Sequence, residues 1–188
     1  MESLIPATAN IAFWINAKVA GKITNSDFTN ACETLLGFTL PVPLARVQAN
    51  SHEIALSRTQ VLRQSPAQEW EVIERDNSLM AFDPSSARLA LLSELEEATH
   101  LLSSMATLGS RDSIDDELSH MYSPHLPALE GKQRHALDLA LRVRLVCHLA
   151  VAESQVPSSP SSQTALRTQL RTLDDLALSL ICAIASNA

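Results

Sequence analysis

Cys147 and His148 stand side by side, a thiol next to an imidazole. That is the residue pair of nucleophilic catalysis, in which the base takes the thiol proton. The pattern around them is helical, however, and neighbours on a helix project about 100° apart. The two cannot share a proton, so a catalytic Cys147 would need a base from another element. The simpler reading is a buried thiol, and Cys32 and Cys182 sit in similar apolar surroundings. Three cysteines with no Cys-x-x-Cys spacing fit a reducing, intracellular setting, cytoplasm or nucleus.

His120 and His125 flank Ser123-Pro124 and follow Asp115, Asp116 and Glu117. A metal would need a second matched pair of ligands, which the spacing lacks, so no metal is expected. His100 follows Glu96 by one helical turn, the spacing of a surface pair. Glu94, Glu96 and Glu97 read as a solvated face rather than acid–base machinery, because neither role is paired with a desolvating environment. Ser65, Ser123 and Ser159 each precede proline. Proline-directed phosphorylation would act at such sites, and helix capping or linker duty accounts for them equally. With only 4 glycines, neither GxGxxG nor GxxxxGK[ST] can be written, so no nucleotide or other cofactor is expected. Arg142 and Arg144 lie amid leucines and must pair, snorkel or face a partner. Asp138, one turn before Arg142, is the local mate. Three aromatic residues, Trp14, Trp70 and Phe82, are the natural walls for a pocket between helices.

The elements that would position these residues are helical. Apolar residues make up 46% of the 188, aromatics only 4%, and Leu and Ala carry the apolar content. Such a composition disfavours a barrel or sandwich and favours helices. The expected fold is all-α: a multi-helix bundle in one domain over residues 1–188, opened by an N-terminal helical hairpin over 1–37. In that hairpin a helix from Ala7 to Ala20 stops at Gly21. Thr24 then caps a second helix, with Asp27 at N3 completing a capping box and Ile23 and Phe28 forming a hydrophobic staple. Phe28, Ala31, Cys32, Leu35 and Leu36 mark its inner face, and Gly37 ends it.

Leu40 to Pro43 reads as an extended crossing. Pro43 opens a helix to about Arg63, with Leu44, Val47, Ile54, Val61 and Leu62 inside. Ser65-Pro66 restarts a helix through Trp70. The alternative there is a short β-hairpin over 70–82, with Trp70 and Val72 alternating against Leu79 and Ala81 around Asp76-Asn77. Asp83-Pro84 begins a long helix to about Leu108, closed by Gly109. Ser113 caps a short helix. A helix from Lys132 to Glu153 is apolar nearly all round. Residues 155–163 form a Ser/Pro linker. The C-terminal helix, 164–187, carries the heptad Leu166, Leu170, Leu173, Ala177, Leu180 and Ile184.

The apolar stripes of the last two helices look wider than one small bundle needs. The functional expectation is therefore a non-enzymatic protein–protein interaction module: a subunit, adaptor or dimerisation domain, meeting itself or another protein. Its interface residues would be Arg142, Leu145, Leu149, Leu173, Leu176 and Leu180. The alternative is an enzyme or small-ligand binder with a pocket between helices. A net charge of −7 opposes a polyanion, so nucleic acid is not an expected partner. The most apolar run, Leu176 to Ala185, is far shorter than the roughly 20 residues of a membrane span, and no membrane partner is expected.

Overall fold

The computed structural model describes residues 4–40, 47–50, 52–65, 67, 69–76, 83–103, 126–127, 129–153 and 160–188. These form five helices and one four-stranded antiparallel sheet: α1 (Ala7–Val19), α2 (Asn25–Leu36), β1 (Gln48–Ala49), β2 (Glu53–Ala55), β3 (Gln60–Gln64), β4 (Trp70–Glu74), α3 (Pro84–Ser103), α4 (Gly131–Glu153) and α5 (Pro160–Ser186). The fold is mostly helical and not all-α.

The N-terminal hairpin forms for the reasons its sequence displays. Gly21 and Gly37 both take positive φ, 71° and 77°, where a side chain would be strained. Thr24 Oγ1 accepts from the Asp27 N–H, and the Asp27 carboxylate accepts from the Thr24 N–H. Those reciprocal bonds satisfy donors that the start of α2 would otherwise leave open. Asp83 opens α3 in the same manner, its carboxylate accepting from the Ser85 and Ser86 N–H groups.

The expected helix from Pro43 to Arg63, and its restart at Ser65, are corrected by the sheet. Its strands run in sequence order β1-β2-β3-β4. Ile54 faces Leu62 and Ala55 faces Val61 across β2 and β3, so residues expected on one helix face are cross-strand partners. Asn50 turns the chain between β1 and β2, its Oδ1 accepting from the His52 and Glu53 N–H groups. Such side-chain bonding favours a turn over a helix. Trp70 to Glu74 is a strand, but its partner is Gln60–Gln64, earlier in the chain than the Leu79–Ala81 arm of the expected hairpin. That arm, Phe82, the helix capped by Ser113, His120, His125 and the Leu40–Pro43 crossing beyond residue 40 lie outside the described residues. So does most of the expected linker, of which residues 160–163 belong to α5.

Helix α5 is the central element. It packs against α4, α3, α1 and β1. Its heptad is the buried face: Leu170, Leu173, Ala177, Leu180 and Ile184 are all buried. Phe13 and Ile15 of α1, Leu91 of α3, Leu137 and Leu145 of α4, and Ile54 and Leu62 of the sheet join it in one core. Each such side chain stabilises by roughly 1.5–3 kcal/mol through lost apolar surface.

Asn16 joins three elements inside this core. It is wholly buried. Its amide donates to the Val47 carbonyl at 3.0 Å and the Ala185 carbonyl at 2.8 Å, and its Oδ1 accepts from the Val47 N–H at 2.9 Å. The carboxamide thereby serves Val47 as a neighbouring strand would. It also satisfies a carbonyl in the last turn of α5, where no intrahelical donor remains. Ser186 extends the junction by accepting from the Ala49 N–H at 3.0 Å.

Candidate functional site

Helices α1 and α2 part along one side to leave a groove of about 430 Å³. From α1 come Asn10 and Trp14, one turn apart. Ile23 closes the turn end. From α2 come Asp27, Asn30, Ala31, Thr34 and Leu35, the i, i+3, i+4, i+7, i+8 face of a helix. This face is rotated by one residue from the core-facing stripe of Phe28, Cys32 and Leu36, so α2 shows one side to the core and the adjoining side to the groove. Ala31 and Leu35 belong to both. The small Ala31 at mid-helix leaves the space.

The walls are apolar through Trp14, Ile23, Ala31 and Leu35, and polar through Asn10, Asp27, Asn30 and Thr34. Thr34 Oγ1 is occupied, donating to the Asn30 carbonyl at 2.7 Å. Two wall residues carry buried atoms with no hydrogen-bond partner: Asn10 Oδ1, an acceptor, and Trp14 Nε1, a donor. Leaving a buried polar atom unpaired costs about 1–3 kcal/mol. Both atoms are shut from solvent behind the groove's open surface, so the hairpin holds unspent hydrogen-bonding capacity of both kinds beside the groove. Asp27 is exposed, and its hydrogen bonds from the Thr24 hydroxyl and N–H hold its carboxyl below the usual carboxylate range. It is an anion at neutral pH.

Trp14 is thus a groove wall. Trp70 is half-buried in β4 and packs on the core, and Phe82 lies outside the described residues, so the structure does not bring the three aromatics together. The six residues expected at an interface divide. Leu145, Leu173 and Leu180 are core residues at 2%, 2% and 0% exposure, which corrects the expectation that they are exposed. Leu149 and Leu176 are half-buried against the same core, and Arg142 is exposed. The wide stripe of α5 is used within the fold, because α5 has neighbours on several sides: α4, α3, α1 and β1.

Arg144 is 8% exposed and paired. Its Nε donates to Asp174 Oδ1 at 2.8 Å, and its Nη1 to the Leu4 carbonyl, tying α4 to α5 and to the N-terminal segment. His148 Nε2 lies 3.5 Å from the same Asp174 oxygen. On Asp138, burial outweighs the opposing Arg142 charge and holds the carboxyl above its ordinary range.

The thiols are poor nucleophiles. Burial, reinforced by the Asp174 charge, pushes the Cys147 thiol up to about 12, and burial pushes Cys182 to about 12. A thiolate is the reactive form, so the Cys147–His148 pair has no reactive thiol at neutral pH. Among the described residues, no three His, Cys, Asp or Glu side chains converge as a metal site. No helix of the described residues is long and apolar enough to cross a membrane.

Of the groove residues, sequence reasoning singled out Trp14 as a pocket wall, Asp27 and Ile23 as capping residues, and Ala31 and Leu35 as core. Asn10, Asn30 and Thr34 were missed. The signal was present: residues 27, 30, 31, 34 and 35 make a second, mixed-polarity helical stripe beside the apolar one. The chain matches no family model, no curated protein and no solved structure.

Proposed function

We propose that this chain is a non-enzymatic protein-interaction module, the subunit or adaptor type of domain, and that it acts through the α1–α2 groove. The observation that carries this is the pair of unpaired buried atoms, Asn10 Oδ1 and Trp14 Nε1, one helical turn apart on residues that wall one groove. A peptide segment offers the complement: a backbone N–H, a backbone C=O and a side chain for the apolar cleft. Recognition of extended segments generally combines main-chain bonds for affinity with pockets for selected side chains. The buried, unbridged thiols support an intracellular, reducing setting.

The test is selection of displayed random peptides on the immobilised protein, run in parallel on Ala31→Trp, which fills the groove. Enriched sequences are expected to bind the wild type and lose binding to Ala31→Trp. They are also expected to shift the Trp14 indole N–H resonance. Equal binding to the filled variant would overturn the proposal. A second reading, a pocket for a small amide-bearing molecule, is favoured by the groove volume, which lies within the roughly 300–1,000 Å³ of small-ligand sites. Its mark would be a small amide that shifts the indole resonance while no peptide is enriched.

A further inference from the structure

We infer that the side chain received by the groove is basic, and that arginine fits it best. The inference rests on the groove being the binding site and adds the chemistry of its occupant. Of the lining residues, Asp27 alone is charged. Its Oδ2 takes both bonds from Thr24, the hydroxyl at 2.7 Å and the N–H at 3.2 Å, while Oδ1 takes part in neither. Among the described residues Asp27 makes no ion pair. The nearby Lys22 is 3.9 Å from Glu130 instead.

The rest of the groove suits the stem of such a side chain. Arginine and lysine lay their methylenes along apolar surface and keep the charged head on polar partners. Trp14, Ile23 and Leu35 supply the apolar wall, and the face of an indole attracts a guanidinium as well. The planar guanidinium has five N–H donors in a fixed fork. Its fork would engage the Asp27 carboxylate, which leaves Asn10 Oδ1, an unpaired acceptor on the facing helix, for a backbone N–H of the bound segment. The Trp14 indole N–H then remains for a backbone carbonyl of the bound segment. An acidic or phosphorylated side chain would find a carboxylate and no cation, in a chain whose net charge is already −7.

The experiment is a titration of the full chain, followed by amide and indole N–H resonances, with three blocked residues: N-acetyl-arginine amide, the uncharged isostere N-acetyl-citrulline amide, and N-acetyl-leucine amide. Arginine is expected to shift Trp14, Asn10 and Asp27 saturably. Citrulline should bind at least ~10-fold more weakly, the loss expected for one charge-assisted bond. Asp27→Asn should reduce arginine binding by a similar factor and flatten its salt dependence, with leucine binding unchanged. Because Asp27 also caps α2, Thr34→Lys provides an independent arm: it places a tethered cation on the wall without touching the cap, and should abolish arginine binding. Leucine or citrulline binding as tightly as arginine in the groove would overturn the inference and leave the groove reading standing. No groove shifts from any probe, with no peptide enriched by display, would overturn both.

Discussion

Asn10 and Asn16 lie on the same helix, and the same substitution at each should move stability in opposite directions. Asn16→Leu removes the partner of three buried groups, the Val47 N–H, the Val47 carbonyl and the Ala185 carbonyl. Each orphan costs about 1–3 kcal/mol. Some relief comes from local adjustment, so a net loss of about 3 kcal/mol or more is expected. Asn10→Leu removes an acceptor that already lacks a partner and lays apolar surface in a groove walled by Trp14 and Leu35. It should stabilise by about 1 kcal/mol, the low end of the same range because Asn10 is only half-buried. For a chain of this length that is a rise of roughly 2–4 °C in Tm. Urea unfolding followed by circular dichroism gives both values, with an unchanged slope showing that only stability has moved. Asn10→Leu destabilising by about 1 kcal/mol or more would mean that Asn10 Oδ1 has a partner, and the groove would lose half of its hydrogen-bonding case. Asn16→Leu costing under about 1 kcal/mol would refute the three-element junction.

Other perturbations follow from the buried charges, thiols and caps. Arg144→Met alone should cost about 3 kcal/mol, because Asp174 and the Leu4 carbonyl lose their donor, while Arg144→Met with Asp174→Leu should recover the Asp174 share and leave that of the Leu4 carbonyl, since replacing both members of an ion pair removes the uncompensated charge; a double-mutant cycle by denaturant unfolding reads the coupling. Cys147 and Cys182, held near 12 against an ordinary 9.0, should react with a disulfide reagent at pH 8 roughly 1,000-fold more slowly than in the unfolded chain, from thiolate fraction alone. A folded pKa above the unfolded one stabilises fully below pH 9 and is lost as pH rises toward 12, so Tm should fall across that window and Cys147→Ala should shallow the decline. Thr24→Ala removes the capping box and should cost about 1 kcal/mol, with the helicity loss confined to α2 by amide resonances.

What was legible in the sequence was local. The N-terminal hairpin could be read residue by residue because its signals are self-contained: two glycines that stop helices, and a Thr24–Asp27 pair that starts one. The α5 heptad was legible for a similar reason, since period alone shows which face is buried. The sheet was not. Its strands are two to five residues long, too short for alternation to stand out, and Val47, Ile54, Val61 and Leu62 satisfy a loose helical spacing. What separates the cases is non-local: Ile54 needs Leu62, and Val61 needs Ile73. The polar clusters at Asn50–His52 and Ser57–Thr59 were the available turn signals. The groove was half-legible. Trp14 could be named from its type, but that Asn10 Oδ1 and Trp14 Nε1 lack partners depends on what surrounds them, which no spacing encodes.

Both of those atoms are shut from solvent behind the groove, so a ligand reaches them only if α1 and α2 separate further. The packing assigns that motion to α2. Helix α1 is held on one side by Asn16 and by its contacts with α5 and the sheet, whereas the one substantial packing partner of α2 among the described elements is α1. An element attached through a single neighbour opens at a lower free energy than the core it leans on. Cys32, 3% exposed on α2, reports the opening directly. It should be labelled by a thiol reagent well before Cys147 and Cys182, at a rate that does not follow global unfolding with denaturant. Amides of α2 should likewise exchange before those of α1 and α5, and a groove-binding peptide should slow both events. If Cys32 is labelled together with the other two thiols, and only as fast as the whole chain unfolds, then α2 does not open on its own, and the two sealed atoms of the groove are beyond the reach of any partner.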